Sequence, residues 1–202
     1  MSVYLIRHGE TAANAARVVQ KPDVPLSSRG ISQARRLARR LAGQGITAIV
    51  SSDLPRAAMT AEALQETVGV PIVFDPLLQE RNFGDVRGTP YAELEVDLFG
   101  PGYEPPGGES WQVFHQRVER AWALVGERAA GTEGHLAVVT HGLVCQSVVS
   151  HLSDLSEGVA PIGPGWANTS VTILEAGPRG WSVNLLNCTA HLDGEEAAKG
   201  PA

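Results

Sequence analysis

The chain has 202 residues, 43% of them hydrophobic, enough to bury most of its surface in one domain with a real core. Its 16 Lys and Arg against 22 Asp and Glu give a formal net charge of -6. That is the wrong sign for a protein that coats nucleic acid, although a mildly acidic whole can enclose a small cationic pocket. Cys145 and Cys188 lie far apart and form no spaced pattern, so neither a disulfide framework nor a zinc cage is expected, and each should pack as a small hydrophobe. The opening segment lacks a basic region followed by a long apolar run, and no stretch approaches the ~20 apolar residues of a membrane span. The expectation is a soluble, cytoplasmic protein with no membrane contact.

Val3 to Arg7 is a short apolar run that ends abruptly in charge and glycine, which reads as a buried strand feeding a loop. After a Pro- and Ser-rich turn from Pro22 to Gly30, Ala34, Leu37, Ala38, Leu41 and Ala42 recur at helical spacing. Arg35, Arg36, Arg39 and Arg40 fall mainly on the other face of that helix, as a solvated stripe. Gly43 and Gly45 end it. Ile46 to Val50 forms a second strand, and Ser51 to Pro55 supplies the cap and first turn of a helix reaching about Val68. Val70 to Phe74 reads as a third strand.

From Asp75 to Gly108 the pattern is irregular, with at most a short helix near Tyr91 to Leu98; a loop of that length in a compact domain is usually functional or disordered. A long helix follows from Ser110 to about Ala130, with Val113, Phe114, Val118, Ala121, Trp122 and Val125 as its buried stripe. His135 to Thr140 is a fourth strand, and His141-Gly142 opens another helix. Thr169 to Glu175 and Trp181 to Leu186 form a closing strand pair turned at Gly177 to Gly180, and the polar tail from Asp193 is expected to fray. Alternating strands and helices predict an α/β three-layer sandwich with a mainly parallel central sheet, residues 1–202 forming a single domain.

The chemistry-bearing residues follow the strands. Ligands of open α/β sheets bind outside the carboxyl ends of the strands. Arg7 and His8 follow the first strand, Arg56 lies just after the second, Glu80 beyond the third and His141 immediately after the fourth. In a parallel sheet these five converge on one rim. Guanidinium forks match phosphate oxygens in two-point hydrogen bonds and keep their charge, so Arg7 and Arg56 suit the charge of a phosphoryl transition state. Gly9 and Gly142 allow close backbone approach, and the helix opening at Gly142 adds free N–H groups. A neutral imidazole is a competent nucleophile, and nearby arginines favour the neutral ring. Glu80, in a loop, suits protonation of a leaving alkoxide and later deprotonation of water. Taken singly, each residue also reads as a cap, a packing group or a surface charge. A zinc site including His8 and His141 would lack both a His-Glu-x-x-His pair and paired cysteines, so no metal is expected.

Leu5-Ile-Arg-His-Gly-Glu-Thr11, followed by Asn14, resembles the signature of the histidine phosphatase superfamily, the phosphoglycerate mutase-like family. The likeness continues through Pro25 to Ala34, Ser51 to Ala61, Pro106 to Ser110, Val138 to Gly142 and Asn168 to Ser170, over nearly the whole chain. The resemblance implies that His8 is the phosphorylated nucleophile, that Arg7, Arg56 and His141 form the phosphate pocket, and that Glu80 is the proton donor. It also implies that Gly9, Asn14 and Gly142 neighbour the phosphate, that Gln20 and Lys21 contact the substrate, and that no cofactor is needed.

The family divides into mutases and phosphatases. The chain is short and lacks an insertion with paired arginines resembling the mutases' carboxylate clamp, while Glu80 to Gly88 is similar to the phosphatases' Glu-x-x-Phe-Gly-x-Trp-Glu-Gly. A phosphomonoesterase acting on a small phosphorylated metabolite is therefore expected, with a phosphoglycerate mutase as the alternative within the class and a catalytically silent phosphate-binding module as the alternative outside it. Val86 and Arg87 replace the usual Trp-Glu pair, and Cys188 stands where an aspartate is common. An arginine at 87 is expected to meet a second anionic group on the substrate. Trp111, Trp122, Trp166 and Trp181 read as core before interface, and a homodimer stays open.

Overall fold

The computed structural model describes residues 1–161 and 165–193. In chain order the elements are β1 (Ser2–Arg7), α1 (Ala12–Ala16), α2 (Ser28–Leu41), β2 (Ile46–Ser51), α3 (Pro55–Val68), β3 (Ile72–Phe74), α4 (Trp111–Ala130), β4 (His135–Thr140), α5 (Gly142–His151), β5 (Ser153–Leu155), β6 (Val171–Gly177) and β7 (Gly180–Cys188). The strands form one seven-stranded sheet in the order β3-β2-β4-β1-β6-β7-β5. β3, β2, β4 and β1 are mutually parallel; β6 pairs antiparallel with both β1 and β7, and β5 pairs parallel with β7. Only β6 thus runs against the rest. The mainly parallel α/β sandwich expected from the sequence is the observed fold.

Strand alternation divides the core in two. Val3 and Leu5 of β1 face the layer of α4 and α5, where Phe114, Val118, Trp122 and Val125 meet Leu143, Val144, Cys145 and Val148. Tyr4 and Ile6 face the opposite layer, with Leu37 and Leu41 of α2 and Ala57, Ala61 and Leu64 of α3. Each fully buried Leu, Ile or Val side chain contributes about 1.5–3 kcal/mol, and β1 and β4, buried on both faces almost throughout, carry many of them.

Several expectations change in detail. α2 begins at Ser28, because the Ser27 hydroxyl accepts from the Gly30 N–H and caps the helix inside the segment read as a turn. Ser51 belongs to β2, and Leu54 precedes Pro55 as the N-cap of α3. β3 starts at Ile72, and the loop helix shrinks to a 3-10 turn at Tyr91–Glu93. Val113 is 52% exposed: it sits off the apolar stripe that starts at Phe114. Trp122 and Trp166 are buried and Trp111 and Trp181 half-buried. Cys145 packs in the core, but Cys188 accepts from Arg40 Nη2 at 3.2 Å, and the same guanidinium bonds the Cys188 carbonyl and His191. One arginine of the solvated stripe is therefore tied to the end of β7 and the turn that follows it. The expected frayed tail lies outside the described residues after Asp193. Among the described residues no helix is long and apolar enough to cross a membrane.

Candidate active site

Parallel β1 and β4 lie side by side with Arg7 registered against Thr140, so the loops that follow them leave the sheet together. His8 continues from β1, its N–H bonded to the Thr140 carbonyl at 2.9 Å, and His141 continues from β4 as the N-cap of α5. The two imidazoles stand 5.1 Å apart between ring centroids, both buried. Asn168 Nδ2 and the Thr169 N–H hold the His8 carbonyl from the β6 side, at 3.1 and 3.3 Å.

The tautomer of His8 follows from geometry. Its Nδ1 lies 2.6 Å from the Gly9 carbonyl oxygen. A carbonyl can only accept, so Nδ1 carries the proton and Nε2 keeps its lone pair. Burial, then the positive charges of Arg56 and Arg7, holds the His8 pKa well below the usual imidazole value. The ring is thus neutral and nucleophilic across ordinary pH.

His141 Nε2 lies 2.9 Å from Ser52 Oγ, which already accepts the Leu54 N–H. With the hydroxyl donating to Nε2, Nδ1 of the neutral ring bears the proton, and this Nδ1 is buried without a protein partner. Arg7 and Arg56 share that condition. One Nη of Arg7 is anchored on the Trp166 carbonyl and one Nη of Arg56 on the carbonyls of Lys21 and Pro22, yet both Nε atoms are buried and unpartnered. An unmet buried donor costs about 1–3 kcal/mol, a cost that an anion placed between these side chains would remove. Burial pulls the Arg56 pKa down to about 10, a strain that a bound anion would relieve.

Glu80 enters from the loop after β3. Its Oε1 accepts from the Arg81 N–H at 2.9 Å and its Oε2 from the Leu143 N–H in the first turn of α5, at 3.2 Å. Burial raises its pKa above the ordinary carboxylate value, outweighing those hydrogen bonds and the charges of Arg56 and Arg7. A raised carboxylic acid beside two lowered imidazoles is the split that acid–base work requires.

Arg7, Asn14, Gln20, Arg56 and Glu80 line one cleft, together with Pro22, Leu54, Arg81, Phe83, Arg87 and Tyr91. Asn14 Oδ1 accepts from the Thr11 N–H at 3.2 Å, and Gln20 Oε1 accepts from the Thr11 hydroxyl at 2.8 Å. The Gly9 N–H donates to Thr60 Oγ1 at 3.1 Å, and Gly142 opens α5 in the buried floor. Lys21 is placed otherwise: its carbonyl anchors Arg56, while its side chain is exposed and runs past Gly88. Sequence reasoning missed Ser52, which bonds His141 Nε2, and Tyr91 and Phe83 in the cleft wall. No spacing signal marks them, although Ser52 falls inside a segment resembling the family. Arg81, readable as half of an exposed pair with Glu80, is buried, over the Trp111 ring at 3.9 Å and bonded to the carbonyls of Leu98, Tyr103 and Glu109. Among the described residues no three His, Cys, Asp or Glu side chains cluster as metal ligands.

Residues 3–189 match the histidine phosphatase superfamily (branch 1). The chain is 34% identical to the protein of Yersinia pestis named probable phosphoglycerate mutase GpmB, over 96% of this chain and 95% of that one. Among solved structures, YhfR of Bacillus stearothermophilus superposes with a TM-score of 0.81 at 30% identity, covering 95% of this chain and 99% of its own. The mycobacterial glucosyl-3-phosphoglycerate phosphatase solved with VO3 gives a TM-score of 0.77 at 30% identity, over 93% and 98%. The chain belongs to the histidine phosphatase superfamily.

Proposed function

We propose that the protein is a phosphomonoesterase that hydrolyses a small phosphorylated metabolite through a phosphohistidine on His8. The observation that carries this reading is the 2.6 Å contact from His8 Nδ1 to the Gly9 carbonyl, which leaves Nε2 as a fixed lone pair beside the unmet donors of Arg7, Arg56 and His141. Nε2 attacks phosphorus, the ester P–O bond breaks, and Glu80 gives its proton to the departing oxygen. Arg7, Arg56 and His141 Nδ1–H meet the charge spread over the phosphoryl oxygens, the role that a divalent cation fills in other phosphoryl-transfer sites. In the second half Glu80, now a carboxylate, takes a proton from water. The water oxygen bonds phosphorus, the P–N bond breaks, and inorganic phosphate leaves with His8 neutral again.

The name of the Yersinia relative favours a second reading, a mutase that returns the phosphoryl group to a sugar-acid hydroxyl. The mycobacterial neighbour, a phosphatase by name, supports hydrolysis, as does a cleft that opens directly on Glu80. The test is hydrolysis of p-nitrophenyl phosphate in EDTA, followed by acid-free quenching and mass-spectrometric search for phosphate on His8. Metal-independent turnover with phospho-His8 supports the phosphatase. Turnover that requires a bisphosphorylated primer would replace it with the mutase.

A further inference from the structure

We propose that Arg87 forms a second anion subsite in the cleft, so that the substrate is a phosphomonoester carrying another anionic group a few atoms from the transferred phosphate. The proposal rests on the phosphatase reading only for the role of the phosphoryl end. The cleft lining holds four arginines, Arg7, Arg56, Arg81 and Arg87, against one carboxylate, Glu80, which must be protonated when the ester arrives. Arg7 and Arg56 aim at the phosphoryl site, and Arg81 is consumed by three backbone carbonyls. Arg87 is left. No hydrogen bond or ion pair joins its guanidinium to any described residue, and Glu109, the acid that lends it some opposite charge, is clamped by Arg117 at 2.7 and 2.8 Å. Partial burial lowers its pKa, so its charge is desolvated without being neutralised.

The backbone that carries Arg87 is braced. Gly84 and Gly88 adopt φ of 54° and 90° at either end of the turn. The Gly88 N–H bonds the Val19 carbonyl at 2.7 Å, the Val19 N–H bonds the Thr89 carbonyl at 3.0 Å, and the Asp85 N–H bonds the Pro106 carbonyl at 2.9 Å. Val86 anchors the turn on the main core cluster. A guanidinium on a braced turn loses little order on binding and offers a fork suited to a carboxylate or a second phosphate.

The experiment is calorimetric titration of the protein with three non-hydrolysable phosphonates of equal chain length: propylphosphonate, 3-phosphonopropionate and propane-1,3-bisphosphonate. The doubly anionic ligands are expected to bind at least tenfold more tightly than propylphosphonate. Arg87→Ala should cut that ratio at least fivefold, and Arg87→Lys should restore part of it. The tighter of the two distinguishes carboxylate from phosphate as the second group. Equal affinities for all three ligands, or a ratio unmoved by Arg87→Ala, overturns the proposal; so does an equal weakening of all three, which would put Arg87 on the transferred phosphoryl group. Binding needs no turnover, so an inactive protein that still shows the Arg87-dependent ratio would sink the hydrolase reading and leave the subsite standing.

Discussion

Arg117 and Glu109 grip each other across the base of the Glu80 loop, with Nη2 and Nε at 2.7 and 2.8 Å from the two carboxylate oxygens. The same guanidinium also gathers the carbonyls of Leu77, Gln79 and Glu80. Arg117 belongs to α4, and among the described residues Glu80 is the one cleft-lining residue to which it is hydrogen-bonded. It is a positioning residue, which fixes where the acid is presented.

Arg117→Met should therefore remove a mostly buried ion pair and release the loop. Breaking such a pair from one side costs about 3–5 kcal/mol when fully buried; with both side chains 13–15% exposed, the low end is expected. Urea denaturation should show that loss. A purely structural role would leave pH dependence alone, so the informative readout is the basic limb of kcat/KM, which should move as Glu80 loses its set position. An unshifted limb in a folded variant would mean that Arg117 only stabilises.

Glu80→Gln should slow an alkyl phosphate by about 10²–10⁴-fold, the usual worth of a general acid. p-Nitrophenyl phosphate, whose leaving group needs no proton, should suffer much less in the first step. His8→Ala, in contrast, should abolish turnover of both while the thermal transition persists. Equal slowing of the two esters by Glu80→Gln would remove Glu80 from the acid role.

The approach of α2 to the first loop is a test of packing. A Cβ on Gly30 would stand 2.0 Å from the Glu10 carbonyl oxygen, and one on Gly9 would stand 2.7 Å from the Gly30 carbonyl. Neither obstacle is a flexible side chain. Gly30→Ala should lose about 1–3 kcal/mol, the cost of forcing extra volume into a packed site, or more. Because Glu10 follows the His8-Gly9 loop, kcat should fall as well. A Gly30→Ala protein with wild-type stability would show that the two backbones can part freely.

What the sequence made legible here follows from what local pattern can encode. β1, β2 and β4 are short, largely apolar runs that end in polar or charged residues, α2 and α4 carry a helical period and α3 a capping start, so the sheet and the rim where Arg7, His8, Arg56 and His141 gather could be inferred from the sequence. β5 could not: Ser153-Asp-Leu155 has no alternation and becomes a strand only because β7 lies beside it. Nor could Arg117, whose partners are 8 to 40 residues away and mostly backbone carbonyls. Lys21 was readable as a charge near the site but not in direction, since which way a loop side chain leaves depends on the turn beside it at Gly88.

His8 and His141 also predict how the free protein responds to acid. Burial first, then Arg56, holds both rings' pKa well below 6.5. The unfolded chain therefore takes up protons from about pH 6.5 downward while the folded protein does not, so stability is retained above that pH and falls as pH drops below it. Glu80 acts with the opposite sign: its raised pKa contributes stability that is present below about pH 4.5 and is lost as pH rises through the folded value. Melting curves of Glu80→Gln between about pH 5 and pH 8 remove the Glu80 contribution, and the transition temperature should decline on the acid side. Because burial also lowers the pKa of His115, and that of His191 to about 4, the share of His8 and His141 is the part of the slope lost in their double variant. Saturating inorganic phosphate should raise the transition temperature and flatten that decline, because an anion against Arg7 and Arg56 offsets the charges that keep the rings neutral. A Glu80→Gln protein whose acid-side slope is unchanged in the His8→Ala, His141→Ala double variant would show that the two imidazoles do not carry this pH dependence.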